Sequence, residues 1–356
     1  VKLPIPPAID LSPAFASFLT EIDQFRSEWR GTSGIAPERL HSLRRLATIE
    51  SVGSSTRIEG AKLSDSEVEK LLENLQTESF RSRDEAEVAG YARVMETVQS
   101  AWEDLRVSEP ILLQLHRDLL QYSLKDERHR GTWKTLPNNV AAFDADGREL
   151  GIVFATASPF ETPLLMEELI HWYKSEERSA TMHPLLRIAV FHVVFLAIHP
   201  FQDGNGRLAR VLTNLQLLRS GYGFASFASL ESVIEHRKEA YYLALRRSQG
   251  SFAGESVDWE SWVSFFLRAM LIQIERLRDR LRTLMTQPVL PEELSPLAGR
   301  IFHLLSRQET LSVAEAVSAL GASRSTIKDK FTELVDKGHV TLHGKGRGAH
   351  YRPTRR

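Results

Sequence analysis

HPFQDGNGRLAR, residues 199–210, packs a histidine, an acid, two glycines, an asparagine and two arginines into one short stretch. The run before it, HPLLRIAVFHVVFLAI (183–198), is apolar nearly all round, the pattern of a helix buried in the middle of a bundle. After Gly204 helical spacing resumes in LARVLTNLQLLRSGYG (208–223), with Gly221 as its C-cap. A buried helix, a glycine turn and a second helix are expected, and a mainly α fold is expected around that corner.

Four readings of the corner compete. A phosphate loop of the form G-x-x-x-x-G-K-[ST] occurs nowhere in the chain. GNGRLA (204–209) fits the dinucleotide fingerprint G-x-G-x-x-G/A, but that fingerprint needs an acid about 20 positions on, and residues 211–230 hold no Asp or Glu. A bare turn accounts for the glycines, but not for Phe201 between His199 and Asp203, nor for Arg207 and Arg210 on one helical face. An anion site accounts for all of them. A helix starting near Asn205 aims its unbonded amides at the turn, the glycines let a phosphate approach, and the two arginines add charge. Asp203 beside such an anion implies a divalent cation between them, Mg²⁺ with a nucleotide. His199 then suits a general base. His192, two turns earlier, reads as a core histidine rather than as a metal partner.

The stretch resembles the signature of Fic-domain proteins, H-x-F-x-[DE]-G-N-G-R-x-x-R, and matches it at every fixed position. The resemblance extends from roughly Glu109 to Leu267. It implies transfer of AMP from ATP to a Ser, Thr or Tyr hydroxyl of a protein, with transfer of another phosphate-containing group as an alternative. It also implies roles: His199 as base, Phe201 as anchor, Asp203 as Mg²⁺ ligand, Gly204, Asn205 and Gly206 along the phosphates, and Arg207 and Arg210 on the outer ones. ELGIVFATA (149–157) is β-branched and follows the turn residues DADG (144–147), which reads as one hairpin in a helical chain. It lies where the family places its flap, so Gly151, Ile152, Val153 and Phe154 would border the nucleotide and a target segment would add to its edge. TASPF (156–160) departs from the proline-rich flap of that pattern. Tyr241 and Tyr242 match a tyrosine pair that lines the nucleotide pocket in relatives, and equally suit one wall of the bundle core. Gln249 falls near a position where some relatives have Asn. Self-modification and homodimer formation are further expectations of the resemblance.

SSTRIEG (54–60) reads by itself as a helix end, with Glu59 solvated and Gly60 as C-cap. Ser55, Glu59 and Gly60 also resemble the inhibitory-helix motif [ST]-x-x-x-E-[GN] of Fic proteins. That resemblance implies a Glu59 carboxylate paired with Arg210, which removes a phosphate-orienting cation and repels the phosphate. Removal of AMP from a modified protein through Glu59 is the alternative use of the same residue.

Around these motifs the chain reads as helices. ERLHSLRRLATIESVGSSTRIEG (38–60) spaces Leu40, Leu43, Leu46 and Ile49 by three, and SDSEVEKLLENL (64–75) opens on a capping box, Ser64 with Glu67. EHRKEAYYLALRRSQ (235–249) reads as one helix. QPVLPEELSP (287–296) is a proline-punctuated linker. Beyond it VAEAVSAL (313–320), a turn, RSTIKDKFTELVDKG (324–338) and strands around HGKGRG (343–348) read as a winged helix. The expected division is a helical extension over 1–105 with an inhibitory helix near 48–60, a catalytic core over 106–285, and a winged-helix domain over 292–356.

The formal net charge of the 356 residues is -1, yet from Ser295 onward 11 Lys and Arg face 5 Asp and Glu, so a DNA or other acidic partner belongs to that end. A protein-interaction module is the alternative there, and a DNA-binding regulator that uses the core as nucleotide sensor is the competing function. The chain has no cysteine, which excludes disulfides, thiolate metal sites and cysteine nucleophiles. VKLPIPPAID (1–10) lacks a signal-peptide core, and the longest uncharged apolar run, 188–202, falls short of the roughly 18 to 20 residues that span a bilayer. A cytoplasmic location without membrane contact is the expectation.

Overall fold

Prolines and side-chain caps cut the chain into α1 (Pro13–Arg30), α2 (Pro37–Ile58), α3 (Asp65–Glu73), α4 (Arg83–Ala101), α5 (Glu109–Leu119), β1 (Val140–Phe143) and β2 (Glu149–Phe154). There follow α6 (Thr162–Ser179), α7 (Pro184–Ile198), α8 (Asn205–Arg219), α9 (Leu230–His236), α10 (Lys238–Gly250) and α11 (Trp259–Thr286). The chain continues with α12 (Pro296–Ser306), α13 (Val313–Leu320), α14 (Arg324–Asp336), β3 (Val340–His343) and β4 (His350–Pro353). The computed structural model describes residues 9, 12–30, 35–73, 80, 82–143, 149–286, 294–306, 308, 310–344 and 346–354. Two compact units result: residues 1–35 with 40–277, and residues 36–39 with 278–356. The described helices include none long and apolar enough to cross a membrane.

In the first unit α7 is the axis, buried from Leu185 to Ile198 as its all-round apolar sequence requires, and it packs against α6, α8 and α10. Pro184 takes the first helical position and the His183 ring accepts the Leu185 N–H, so the start of α7 is defined without an acid. α4 crosses α5 so closely that a side-chain carbon at Gly90 would collide with the Leu119 carbonyl. The capping box before α3 forms: Glu67 Oε2 accepts the Ser64 N–H at 2.8 Å. At the far end of α8, Gly221 (φ +84°) lets Tyr222 N–H reach Leu217 O at 2.9 Å.

α2 runs through the stretch read as helical over 38–60, with Leu43 and Ile49 buried and Leu46 50% exposed. A strict spacing of three falls behind the 3.6-residue turn, so an i+3 row drifts off the buried face. From Ser51 to Thr56 the helix is buried on every side, which its serines, glycine and threonine allow by their size. Residues 235–249 are not one helix: the chain leaves helical geometry at Arg237 (φ -121°, ψ 31°), between α9 and α10. A break of one residue leaves hydrophobic periodicity intact on both sides and is invisible to it.

β1 and β2 pair antiparallel, Ala141 with Ile152 and Ala142 with Gly151, forming the expected hairpin; DADG lies outside the described residues. In the second unit α12, α13 and α14 close over Ile301, Leu305, Leu311, Ala316, Ile327, Phe331 and Leu334. The antiparallel pair β3–β4 joins this core through Tyr351, whose ring stacks on Phe331 at 3.8 Å.

Candidate active site

The corner after α7 is held by backbone bonds and by three histidine and asparagine side chains. His199 is the residue that ends α7, with φ 54°, a left-handed conformation that a non-glycine residue adopts only under constraint. Its N–H donates to Phe195 O at 2.9 Å, and its Nδ1 lies 3.2 Å from Leu196 O. A carbonyl only accepts, so Nδ1 carries the proton and Nε2 keeps its lone pair. Nε2 has no protein partner among the described residues. Burial pushes the imidazole down to about 4, so it is unprotonated at neutral pH.

Phe201 is fully buried and stacks on the His116 ring at 3.7 Å. His116 accepts the Gly131 N–H through Nδ1 (2.8 Å) and donates from Nε2 to Asp203 O (2.9 Å), so the loop is tied to α5. The Asn205 side chain accepts the Phe201 N–H (2.9 Å) and returns a bond to Phe201 O (2.6 Å). Its amide group is thus committed to the loop, which leaves its backbone N–H for the cleft.

α8 begins at Asn205 after Gly204 in left-handed geometry (φ +81°), so its N-terminal amides face the corner. Asp203 Oδ1 accepts from Gly204 N (2.5 Å) and Arg207 Nη2 (3.2 Å), with Arg83 at 3.7 Å and Lys125 at 4.0 Å from Oδ2. Burial pushes the Asp203 carboxyl up, but Arg207, the Gly204 N–H, Lys125 and Arg83 outweigh it and hold it below the usual range. Arg207, 2% exposed, also pairs with Glu87 of α4 at 3.1 Å.

α2 delivers the second acid. Its end is a Schellman motif: Ala61 N–H bonds Thr56 O and Gly60 N–H bonds Arg57 O, with Gly60 at φ +108°. The helix end thus places Glu59 directly after Ile58, the last residue of α2, with Gly60 as its cap. Glu59 Oε1 pairs with Arg210 Nη2 at 2.8 Å, and Ser55 takes Arg210 Nε on its hydroxyl (2.8 Å) and Nη2 on its carbonyl (2.9 Å). The carboxylate lies directly over Gly206, where any added side-chain carbon would collide with Oε1. The negative end of α2 disfavours Glu59, whereas the positive end of α8 and the buried Arg210 favour it. Arg57, two residues before Glu59, is fixed by Glu235 at 2.6 Å and by Asp65 at 2.9 Å.

These elements line a cleft of about 560 Å³, a volume ordinary for a small-molecule site. It gathers Glu59, Phe154, His199, Asp203, Gly204, Asn205, Gly206, Arg207, Tyr241, Tyr242 and Gln249 from the sequence expectations. Arg210, Ser55 and Gly60 lie outside the lining, the first two behind Glu59. Gly151, Ile152 and Val153 lie on β2, paired with β1. Tyr241 serves both readings: it lines the cleft, is 1% exposed and approaches His192 Nε2 at 3.2 Å, while burial pushes the Tyr242 hydroxyl up to about 12. His192 is a core residue bonded through Nδ1 to Thr213 at 2.8 Å. Asn138, Gln202 and Arg246 also line the cleft and escaped the sequence reading, because nothing in KTLPNNV (134–140) marks more than a turn.

Burial pushes His116 and His199 down to about 4 and His192 down to about 3. With native values below the unfolded value of about 6.5, the unfolded chain binds more protons between those limits. Stability from these groups is complete above about pH 6.5 and falls as pH drops toward 3 to 4, by about 1.4 kcal/mol per histidine per unit. Urea unfolding at pH 7.5 and pH 5 is expected to differ by several kcal/mol, the acid sample being weaker; equal midpoints would show that these rings are not buried neutral.

Residues 106–217 match the family model of the Fic/DOC family. The chain is 29% identical over 185 residues to a protein adenylyltransferase Fic of Drosophila grimshawi, covering 51% of this chain and 35% of that protein. It is 31% identical over 111 residues to a probable protein adenylyltransferase of Aquifex aeolicus, covering 31% of this chain and 34% of that one. The chain thus spans about a third of the length of the curated relatives it matches. Among solved structures, a Fic family protein from Desulfovibrio desulfuricans superposes with a TM-score of 0.64 at 22% identity over 98% of both chains. A Fic domain containing signaling protein from Bacteroides thetaiotaomicron gives 0.57 at 25% identity, over 72% of this chain and 97% of that one. The family match encloses the whole 199–210 corner, and residues 106–217 of this chain form a Fic domain.

Proposed function

We propose that the chain transfers AMP from ATP to a protein hydroxyl and is held back by Glu59. One observation carries the reading: an imidazole with a proton-accepting Nε2 and the amide end of α8 line the same cleft. The hydroxyl oxygen attacks the α-phosphorus while His199 Nε2 takes its proton. The bond from the α-phosphorus to its bridging oxygen breaks, and pyrophosphate leaves with the electron pair. Backbone N–H groups at Asn205 and Gly206 and the Arg207 guanidinium stabilise the charge that accumulates. Asp203 offers one carboxylate beside that anion site. No group of three His, Cys, Asp or Glu suited to a metal occurs among the described residues. This donor set fits Mg²⁺, which is ordinarily held by one or two carboxylates and the nucleotide's own phosphates; when bound it neutralises phosphate charge.

Glu59 lies at the amide end of α8, where an outer phosphate would sit, and it uses Arg210 as its partner. ATP entering around it is displaced from in-line geometry. The relatives' names support the transferred group, and label from α-phosphate-labelled ATP appearing on protein tests it. Label that appears only from another nucleotide would reassign the group.

A second reading concerns the far unit. Thr341 pairs with Arg352 and His343 with His350, and cross-strand partners share a face. That face of the hairpin carries two histidines and an arginine and no acid, and α14 exposes Arg324, Ser325 and Lys328 alongside Asp329. We read this as a surface for duplex DNA. The full chain is expected to bind a duplex at 50 mM salt and to weaken at least tenfold by 200 mM; no binding at the lower salt ends this reading.

A further inference from the structure

A buried lysine without a carboxylate stands beside the base. Lys134 is 2% exposed, and no ion pair reaches it among the described residues. Its ammonium spends all three protons on neutral oxygens: Asn138 Oδ1 at 2.8 Å, Thr156 Oγ1 at 3.1 Å and Ile198 O at 2.9 Å. Ile198 is the last residue of α7, so the cation also sits at the negative end of that helix. A buried charge persists only where its bonds are complete, and here they join three separate segments.

Those segments are the two stems of the β1–β2 hairpin and the His199 corner. Asn138 leads into β1 and Thr156 follows β2, and the Thr156 hydroxyl donates to Asn138 Oδ1 at 3.0 Å. Thr156 N–H donates to Asn139 Oδ1 at 3.1 Å. On the corner side, Lys134 N–H reaches Pro200 O at 2.8 Å, and the Asn138 amide reaches His199 O at 3.1 Å and Phe201 O at 2.6 Å. The carbonyls of Ile198, His199, Pro200 and Phe201 are thus all taken by two side chains and one amide of residues 134–138. This accounts for the left-handed backbone at His199, since four consecutive carbonyls are pinned around it.

We propose that Lys134 and Asn138 are positioning residues that lock the hairpin and the His199 base into one rigid piece, so that a hydroxyl docked along the hairpin meets Nε2 at a fixed distance. The proposal rests on the transfer reading above. Lys134 touches neither nucleotide nor target in it and does not line the cleft. Its effect falls on the chemical step: loss of alignment of about 1 Å costs on the order of 10²-fold in rate, while the phosphate groups and the tyrosine wall still bind nucleotide.

The test uses the full chain carrying Glu59→Gly, with Lys134→Met as the variant, which keeps the stem and removes the donors. Expected are a fall in kcat of about 10²-fold and a change in affinity for a fluorescent ATP analogue of no more than about threefold. Amide hydrogen exchange is expected to accelerate in 140–143, 149–154 and 199–203 and to stay unchanged in α4, α8 and α11. Thr156→Val, which removes one of the three acceptors, is expected to shift the same amides by less and serves if Lys134→Met does not fold. Unchanged exchange in the hairpin, acceleration spread over the whole unit, or equal losses in kcat and nucleotide affinity would each overturn the proposal. Exchange needs no turnover, so a chain that transfers nothing but shows the local acceleration fails the transfer reading and keeps the clamp.

Discussion

Glu59→Gly is expected to raise label incorporation from α-phosphate-labelled ATP by about 10²-fold, with the fold intact by circular dichroism. The magnitude follows from alignment: a triphosphate turned away from in-line attack loses on the order of 10²-fold for displacement of about 1 Å. Arg210 keeps its bonds to the Ser55 hydroxyl and carbonyl in the variant, so the guanidinium stays where it is while its charge becomes available. The space over Gly206 opens at the same time. Unchanged incorporation with tighter ATP binding would mean that Glu59 competes for the anion without governing geometry. If the resting protein instead removes AMP, Glu59→Ala abolishes release from a modified protein, and that outcome reverses the assignment of Glu59 from brake to water-positioning group.

His199→Ala in the Glu59→Gly background is expected to remove that incorporation by 10²- to 10⁴-fold, the usual share of a general base. Binding of the ATP analogue is expected to stay within a few-fold, because the α8 amides and Arg207 hold the phosphates. A base at about 4 is weak for a hydroxyl, and Lys134 helps to keep it so. An arriving triphosphate works in the opposite direction, since negative charge nearby favours the imidazolium. Proton affinity therefore rises when the substrate is in place. A variant with undiminished incorporation would move the proton to another acceptor.

The 199–210 corner was legible because its chemistry is local: helix end, glycines, acid and arginines are adjacent in sequence and remain so in space. The capping box at Ser64 and the cap at Gly221 were legible for the same reason. Glu59 could be singled out only through its motif, since a glutamate and a glycine at a helix end carry no sign of what they face 151 residues further on. Glu87, His116 and Lys134 were not legible at all. Each acts on the corner through a contact with distant residues, and each looks in sequence like an ordinary helix or turn residue. Leu46 shares the spacing of Leu43 and Ile49 yet is half exposed, so spacing alone did not separate the buried face of α2 from the rest.

The buried run from Ser51 to Thr56 bears on how a brake of this kind can be released. A helix whose small side chains are enclosed on all sides is not a lid. Pulling it out would leave a channel through the packed interior and strip the buried Glu231 carboxylate of Ser51, which donates to it alongside Tyr91 and Asn214, at a cost comparable with the stability of the whole unit. What can move cheaply is the outermost carboxylate, one-third exposed and turning on its own side-chain torsions. If Glu59 is the brake proposed above, its release requires one rotamer to turn on an immovable post.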